Sequence, residues 1–401
     1  MTGGMPMVDD VEAAAAAWTL TLADVQERLA PRFLRAEPRR RARAYVRTLL
    51  EPVARKNGWQ LAEAAGEETP HGMQRLLVGT GWDADLVRDD TGAYVAAQLG
   101  DPSGVLLVDE TGFLKQGTKS AGVARQYSGT AGRRANQQVG VFLAYAAPRG
   151  CAFLDRALYL PEEWATDTAR RAAAGIPEGI AFATKGALAR GMLARAFAAG
   201  VPAAWVVGDV VYGCEGLRRW LEGERRASVL AVASDHGVWT AGAQVAVRDL
   251  TDTLPADAWH RWSAGAGSQG PRWYDWACLA LPYAAATGWA HWLLVRRSIS
   301  DPRERAYDRV HAPADTDPAA LVAAAGTRWR IETAFAAAKG LVGLDEYAVR
   351  RWEGWHRHAT LSLLAHAALV VARARAVAAT AAKGGPTPTP RCASRRPTAC
   401  A

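Results

Sequence analysis

Three acidic residues of this sequence stand where carboxylates could take part in chemistry. Asp109 and Asp209 each end a continuous apolar run, VLLVD and AWVVGD, and such runs are typical of strands buried on both faces. Open α/β sheets bind ligands at the carboxyl ends of their strands, so we expect the two aspartates at one sheet edge. Glu332 lies within RWRIETAFAAAKG, whose spacing puts Arg328, Glu332 and Lys339 within roughly 40° of one another on a helix.

Each of these residues alone also has a simpler interpretation. An aspartate at a strand end is often a turn residue or a helix cap. Arg328 and Glu332 are four residues apart and could form a surface ion pair, which stabilises a helix by roughly 0.2–0.5 kcal/mol. On the same helix, we expect Trp329 and Ile331 to point into a core.

Three carboxylates that converge on one place indicate a cation site. They would repel one another and raise their own pKa values unless a cation held them. Oxygen ligands without histidine or cysteine favour Mg²⁺ or Mn²⁺. Two such ions side by side are used by enzymes that cleave and rejoin phosphodiesters.

The segments VDETGF, GDVVYG and RWRIETAFAAAK resemble the three acidic blocks of the DDE transposases of bacterial insertion sequences. The third block matches the R-x3-E-x6-K part of the Y-R-E-K-type signature of the cut-and-paste branch. KNGWQLAEAAG, YSGTAG, VGVFLAY and GWHRHATL extend the likeness over residues 40 to 375. Two positions depart from the family pattern: Ala325 replaces the signature tyrosine, and Val210 replaces an acid that follows the second aspartate in relatives.

This resemblance implies an α/β fold with a ribonuclease-H-like, mixed-sheet catalytic core. It implies that Asp109, Asp209 and Glu332 are the catalytic triad and hold two Mg²⁺ (or Mn²⁺) ions. Arg328 and Lys339 are then expected to hold phosphates of the element's end, and Tyr212 of the second block to contact DNA. The implied enzyme is a transposase that cleaves the ends of a mobile DNA element and transfers the 3′-hydroxyl strand to target DNA. Its implied partners are double-stranded DNA and a second copy of the chain, forming a homodimer on DNA.

A basic segment follows the first aspartate directly. Residues 114 to 138, LKQGTKSAGVARQYSGTAGRRANQQ, contain five cationic side chains and no acid. We read this segment as a long polar loop that neutralises DNA phosphates beside the active site, although a solvated hairpin would have the same composition. Its cationic residues are Lys115, Lys119, Arg125, Arg133 and Arg134.

The N-terminal part of the chain reads as helical and DNA-binding. Nine arginines and lysines occur between Leu29 and Lys56. Further on, Thr69 followed by Pro70 predicts a helix start, with the threonine as N-cap. The second helix of the resulting helix–turn–helix pattern would be HGMQRLL. Such a pair either reads DNA or is merely structural.

Changes of composition divide the chain into five regions. After the N-terminal region come strand-like and helical segments, then short tryptophan-rich and glycine-rich strands, then helices, and last a basic segment rich in proline and threonine. A tryptophan of the β-rich part could stack on an extruded base. We predict a helical DNA-binding region at 1–100, a catalytic core at 101–234 and 326–376, a β-rich insertion at 235–325 and a disordered tail at 377–401.

Charge and cysteine content suggest where the protein acts. The formal net charge of +8 favours an anionic partner such as nucleic acid. Five scattered cysteines without a CxxC pair indicate a reducing compartment. Acids precede the first alanine run, which is unlike a secretory signal, and the apolar stretch LSLLAHAALVVARARAVAA is interrupted by charges. We therefore expect a cytoplasmic, nucleoid-associated protein without a membrane span.

Two alternatives to a transposase stay open at this point. A stand-alone metal-dependent nuclease would use the same triad without joining DNA strands. A domesticated DNA-binding regulator would keep the fold without catalysis.

Overall fold

Helices form the N-terminal region of the chain. The computed structural model describes residues 8–79, 81–128, 132–240, 242–267 and 270–383. Five α-helices precede the first strand, as the predicted all-helical N-terminal region requires. They are α1 (Val8–Leu29), α2 (Ala36–Leu50), α3 (Gly58–Ala64), α4 (His71–Val78) and α5 (Ala84–Leu99).

Helices α3 and α4 are the pair in which the sequence suggested a helix–turn–helix. The second helix lies where it was predicted, but the predicted threonine cap is wrong. Pro70 is the N-cap residue, and no side chain caps the helix there. Helix α4 buries Met73, Leu76 and Leu77 and exposes His71, Gln74 and Arg75. DNA reading by this exposed side stays a prediction.

The next segment builds the core of a mixed sheet. Strands β1 and β3 are antiparallel, as are β3 and β4, whereas β5 is parallel to both β1 and β6. The resulting order, β4–β3–β1–β5–β6, is that of the ribonuclease-H-like core that was predicted. The strands are β1 (Val105–Leu114), β2 (Ala124–Ser128), β3 (Arg133–Ala147), β4 (Gly150–Tyr159), β5 (Trp205–Gly208) and β6 (Ser228–Val232).

The polar segment after β1 is largely not the long loop that the sequence suggested. Strand β2 pairs antiparallel with the first part of β3, from Ala124 opposite Gln137 to Ser128 opposite Arg133. Polar side chains of this extension form hydrogen bonds inside the protein, as Gln137 Nε2 does to the Tyr127 carbonyl (2.6 Å). The buried Gln138 donates from Nε2 to the carbonyl of Ala121 (2.7 Å) and accepts at Oε1 from the Tyr347 hydroxyl (2.8 Å).

The predicted β-rich insertion extends the core sheet. Its strand β12 pairs antiparallel with β6, so the sheet continues in the order β6–β12–β11–β10–β9. Two further strands, β7 and β8, pair with each other. The elements are β7 (Gly237–Trp239), β8 (Gln244–Ala246), α10 (Val247–Asp252), β9 (His260–Gly267), β10 (Gly270–Leu281), β11 (Trp289–Arg297) and β12 (Arg305–Pro313).

The remaining helices pack on the sheet or on one another. They are α6 (Glu163–Thr166), α7 (Thr168–Ala173), α8 (Lys185–Ala198), α9 (Glu215–Gly223), α11 (Pro318–Gly326), α12 (Trp329–Val342) and α13 (Trp352–Lys383). By length and composition α13 could cross a membrane, but most of it is buried inside the protein. It packs against α1, α2, α5 and β4. It also continues through residues 377–383, where the disordered tail was predicted to begin; the rest of that tail lies outside the described residues.

Aromatic side chains fix α12 to the core sheet. The Phe335 ring lies 5.4 Å from the ring of Phe142 on β3 and 5.0 Å from that of Phe153 on β4 (centroid distances). Ile331 is buried as expected. The expectation that Trp329 also lies in the core is wrong, because 47% of its surface is exposed.

Replacing either of two glycines near the end of α12 by alanine should change the free energy of unfolding, in opposite directions for the two positions. Gly343 ends the helix with φ +61°, and an added Cβ would lie 2.6 Å from Lys56 Cβ. Gly340 is exposed inside the helix, and a Cβ added there would meet open space. We expect Gly343→Ala to lower the free energy of unfolding by about 1–2 kcal/mol and Gly340→Ala to raise it by about 0.5–1 kcal/mol. Denaturant unfolding of both variants measures this, and equal effects would contradict the left-handed cap.

Candidate metal centre

Parallel pairing of β1 with β5 brings the two aspartates together. Val108 pairs with Gly208, so Asp109 and Asp209 follow at the same edge. The structure corrects one detail, because Asp109 does not end its strand: β1 continues along β3 to Leu114. The pairing of β1 with β5 ends just before Asp109, at Val108. One carboxylate oxygen from each of Asp109, Asp209 and the adjacent Glu110 lies within 4.8 Å of the other two.

Asp209 also organises the turn that follows β5. Its Oδ1 accepts the Val211 backbone N–H (2.9 Å), and its carbonyl accepts those of Tyr212 (3.0 Å) and Gly213 (3.1 Å). A Cβ on Gly213 would lie 2.0 Å from the Ala231 carbonyl oxygen on β6. The turn is therefore packed too tightly for any larger residue there. Asp209 is both a turn residue and a member of the acidic cluster.

Glu110 was missed by the sequence analysis, and both of its carboxylate oxygens have partners. Lys185 Nζ lies 2.6 Å from Oε1, and the Tyr212 hydroxyl donates to Oε2 at 2.6 Å. Glu110 was identifiable only by its position beside Asp109. Lys185 is the first residue of α8, 75 positions further along the chain, so local sequence contained no sign of the pair.

Burial and mutual repulsion set the electrostatics of the cluster. Burial, followed by the charge of Asp209, raises the pKa of Asp109 to about 7; Glu110 and Glu332 add to the rise. Burial and the charge of Glu110 likewise raise the pKa of Asp209. The group thus offers only oxygen donors and carries negative charge that nearby protein groups do not fully compensate. These properties fit a hard divalent cation.

Glu332 approaches this group from α12 without joining it. Its side chain is exposed in the first turn of the helix, outside the set of oxygens within 4.8 Å. Its charge nevertheless acts on Asp109. It lines a small depression together with Arg328 and Asp308. Among the described residues, Arg328 forms its ion pair with Asp308 (Nη1 to Oδ1, 3.9 Å), so the simple surface pair with Glu332 is not formed.

Lys339 lies two turns further along α12, close to β1. Its Nζ is 3.4 Å from the carbonyl oxygen of Gly112 and 5.7 Å from the centre of the Phe113 ring. Burial lowers the pKa of this lysine. Lys339 therefore lies beside the strand that carries Asp109, and its predicted contact with DNA phosphate stays a prediction.

The predicted basic segment forms an exposed surface beyond the end of β1. Lys115 is the exception: its Nζ lies 3.5 Å from the centre of the Tyr347 ring, and burial lowers its pKa to about 8. With Arg133 and Arg134 it lines a depression of about 280 Å³. We call the four exposed members the basic face; they are Lys119, Arg125, Arg133 and Arg134.

Tyr212 occupies a different place from the one expected of a DNA-contacting residue. Its side chain is fully buried and its hydroxyl is bound to Glu110. Burial, together with the charge of Glu110, raises the pKa of Tyr212 far above its ordinary value. In this arrangement the Tyr212 hydroxyl binds Glu110 of the acidic cluster from the interior of the protein. The predicted contact of Tyr212 with DNA would require its side chain to leave Glu110.

Comparison with known proteins agrees with this geometry. The sequence matches the model of the family described as DDE superfamily endonuclease over residues 28–255, more than half of the chain. The matched span includes Asp109 and Asp209 and ends before α12, which carries Glu332. No curated protein matches the chain.

The raised pKa of Asp109 predicts how stability depends on pH without metal. The unfolded carboxyl titrates near pH 3.9 and the folded one near 7, so the folded state binds more protons between these values. The free energy of unfolding should therefore fall as pH rises through this window. We expect Asp109→Asn to remove this loss and to be more stable than wild type above pH 7, by on the order of 2–4 kcal/mol.

Thermal unfolding in EDTA from pH 4 to 8 checks this expectation. The two proteins should converge at the acid end, where the folded and unfolded carboxyls are both protonated. Asp257→Asn, at an exposed position in the insertion, is the matched control and should follow wild type throughout. A constant difference between wild type and Asp109→Asn at every pH would contradict the assignment.

Proposed function

This chain belongs to the DDE superfamily endonucleases, and on that basis we propose that it is a DNA transposase. It would hydrolyse a phosphodiester at each end of a mobile element and transfer the freed 3′-hydroxyl strand to target DNA. The observation that carries the proposal is the convergence of Asp109 and Asp209 at one sheet edge, where each raises the local density of negative charge. It fits a metal-dependent reaction on a polyanion.

The proposed ligands come from three elements. Asp109 on β1, Asp209 after β5 and Glu332 on α12 would hold two Mg²⁺ or Mn²⁺ ions. When bound, such ions supply an activated oxygen nucleophile and stabilise the leaving oxygen. Arg328 and Lys339 flank Glu332 on α12 and provide cationic groups to hold substrate phosphates in place. Asp308 pairs with Arg328 and so helps to orient that guanidinium.

Double-stranded DNA is the proposed substrate and target. The net charge of +8 supports association with a polyanion, and the basic face lies just past the strand that carries Asp109. Exposed cations at such a position neutralise backbone phosphates without reading the sequence. We propose that the enzyme acts as a homodimer on DNA, because two element ends must be joined together, and that it works at the nucleoid in the cytoplasm.

Cleavage of labelled DNA that carries the element's ends tests the reaction. The ends are taken from the DNA that flanks the gene, and Mg²⁺ or Mn²⁺ is supplied. Wild type should nick these ends, and Glu332→Gln should lower the rate at least 100-fold while it still binds DNA. Glu224→Gln, an exposed acid at the end of α9, is the matched control and should cleave normally.

The products distinguish the candidate functions. A 3′-hydroxyl end that becomes joined to a second DNA supports the transposase, whereas nicks that are never joined indicate a stand-alone nuclease. DNA binding by wild type without nicking in either metal would refute the enzyme and favour a DNA-binding regulator.

Binding of DNA by the basic face is tested through its salt dependence. Each phosphate contact that is lost reduces the slope of log K against log salt by about 0.9. We expect Arg133→Gln/Arg134→Gln to weaken binding of any duplex several-fold in low salt and to reduce this slope by about 2. Arg219→Gln, at an exposed position on α9, should leave both quantities unchanged. DNA affinities measured from 50 to 200 mM salt test this expectation. An unchanged slope for the double variant would mean that DNA does not contact Arg133 and Arg134.

A further inference from the structure

We propose that Glu110 is a positioning residue and not a metal ligand, and that Lys185 keeps it in that role. The inference rests on the proposed function, because it concerns which carboxylates of the acidic cluster would hold the ions. Its basis is the contact pattern of Glu110. Lys185 Nζ lies 2.6 Å from one of its oxygens and the Tyr212 hydroxyl 2.6 Å from the other.

These contacts tie together the three elements around the candidate centre. Glu110 is next to Asp109 on β1, Lys185 begins α8, and Tyr212 belongs to the turn that Asp209 organises. The turn is tightly packed against the end of β5, since a Cβ added to Gly208 would lie 3.0 Å from Tyr212 Cβ. Movement of Glu110 would therefore disturb Lys185 and Tyr212 together. Through Tyr212, Glu110 fixes the turn and with it the Asp209 carboxylate.

The charges of the site give the same assignment. Four carboxylates are concerned, because the charges of Glu110, Asp209 and Glu332 all act on Asp109. The ammonium of Lys185 pairs with Glu110 and neutralises it, whereas Asp109 and Asp209 receive only backbone N–H groups in the hydrogen bonds found among the described residues. Three carboxylates remain for cations. The lysine thus selects the ligands by keeping the fourth acid occupied.

Removing the lysine should convert the positioning residue into a ligand. In Lys185→Met, Glu110 loses its cationic partner and gains a free oxygen within reach of Asp109 and Asp209. We expect Mn²⁺ to bind at least threefold more tightly to this variant than to wild type. Lys185→Met/Glu110→Gln should return to the wild-type affinity, and Lys185→Arg, which preserves the ion pair, should differ little from wild type.

Titration calorimetry with Mn²⁺ on the full-length protein, without DNA, measures these affinities. Glu110→Gln alone can still accept from Lys185 and contact Tyr212, so its affinity should stay within threefold of wild type. Asp209→Asn should lose at least tenfold. Arg219→Met, at an exposed position on α9, is the matched cation control and should leave the affinity unchanged. Loss of affinity in Glu110→Gln as large as in Asp209→Asn would make Glu110 a ligand and overturn the proposal, as would an unchanged affinity in Lys185→Met.

A second measurement separates failure of this inference from failure of the proposed function. In EDTA, Lys185→Met should lower the melting temperature more in the wild-type background than in the Glu110→Gln background, because the unpaired carboxylate is the cause of the loss. Equal losses in both backgrounds would overturn the positioning contact. Wild type that binds no Mn²⁺ while this coupling is present would instead refute the metal-dependent function and leave the contact established.

Discussion

Repulsion among carboxylates is the constraint that organises this protein. Asp109, Glu110 and Asp209 each bring one carboxylate oxygen within 4.8 Å of the other two. This arrangement costs free energy and persists because covalent geometry and packing enforce it. Parallel pairing of β1 with β5 enforces the approach of the two aspartates. Lys185 compensates one charge of the three. The remaining repulsion is retained in the folded state, and it makes this edge of the sheet suited to cations.

The rest of the fold supports both sides of that edge. On one side, Phe335 packs on Phe142 and Phe153 and so holds α12 over the sheet with Glu332 exposed. On the other, the insertion adds four strands beyond β6. Its strand β12 places Asp308 beside Arg328 at the start of α12. The β-rich insertion is therefore part of the site's surroundings and not a separate appendage.

Short sequence patterns predicted those parts of the structure that depend on neighbouring residues, such as the positions of buried strands. Apolar runs located β1 and β5 and hence Asp109 and Asp209. The resemblance to DDE transposases, now supported by the family match, implied the ribonuclease-H-like mixed sheet. Contacts between distant residues could not be read in this way. The pairing of Glu110 with Lys185 joins positions 75 residues apart. The polar composition of the β2–β3 hairpin led to its prediction as a loop. Strand pairing and buried hydrogen bonds, such as that of Gln138, stabilise a hairpin there despite the polar side chains.

The long helix α13 packs against both the N-terminal helices and the core sheet. It touches α1, α2, α4 and α5 as well as β4 and α12. Two polar contacts of His358 on α13 reinforce it: its Nδ1 lies 2.8 Å from the Tyr45 hydroxyl of α2, and its Nε2 lies 3.1 Å from the carbonyl oxygen of Gly343 at the end of α12. One continuous helix thus contacts both the helical region and the core. If the N-terminal helices bind duplex DNA, as predicted, α13 would set the distance along the duplex between that contact and the acidic edge.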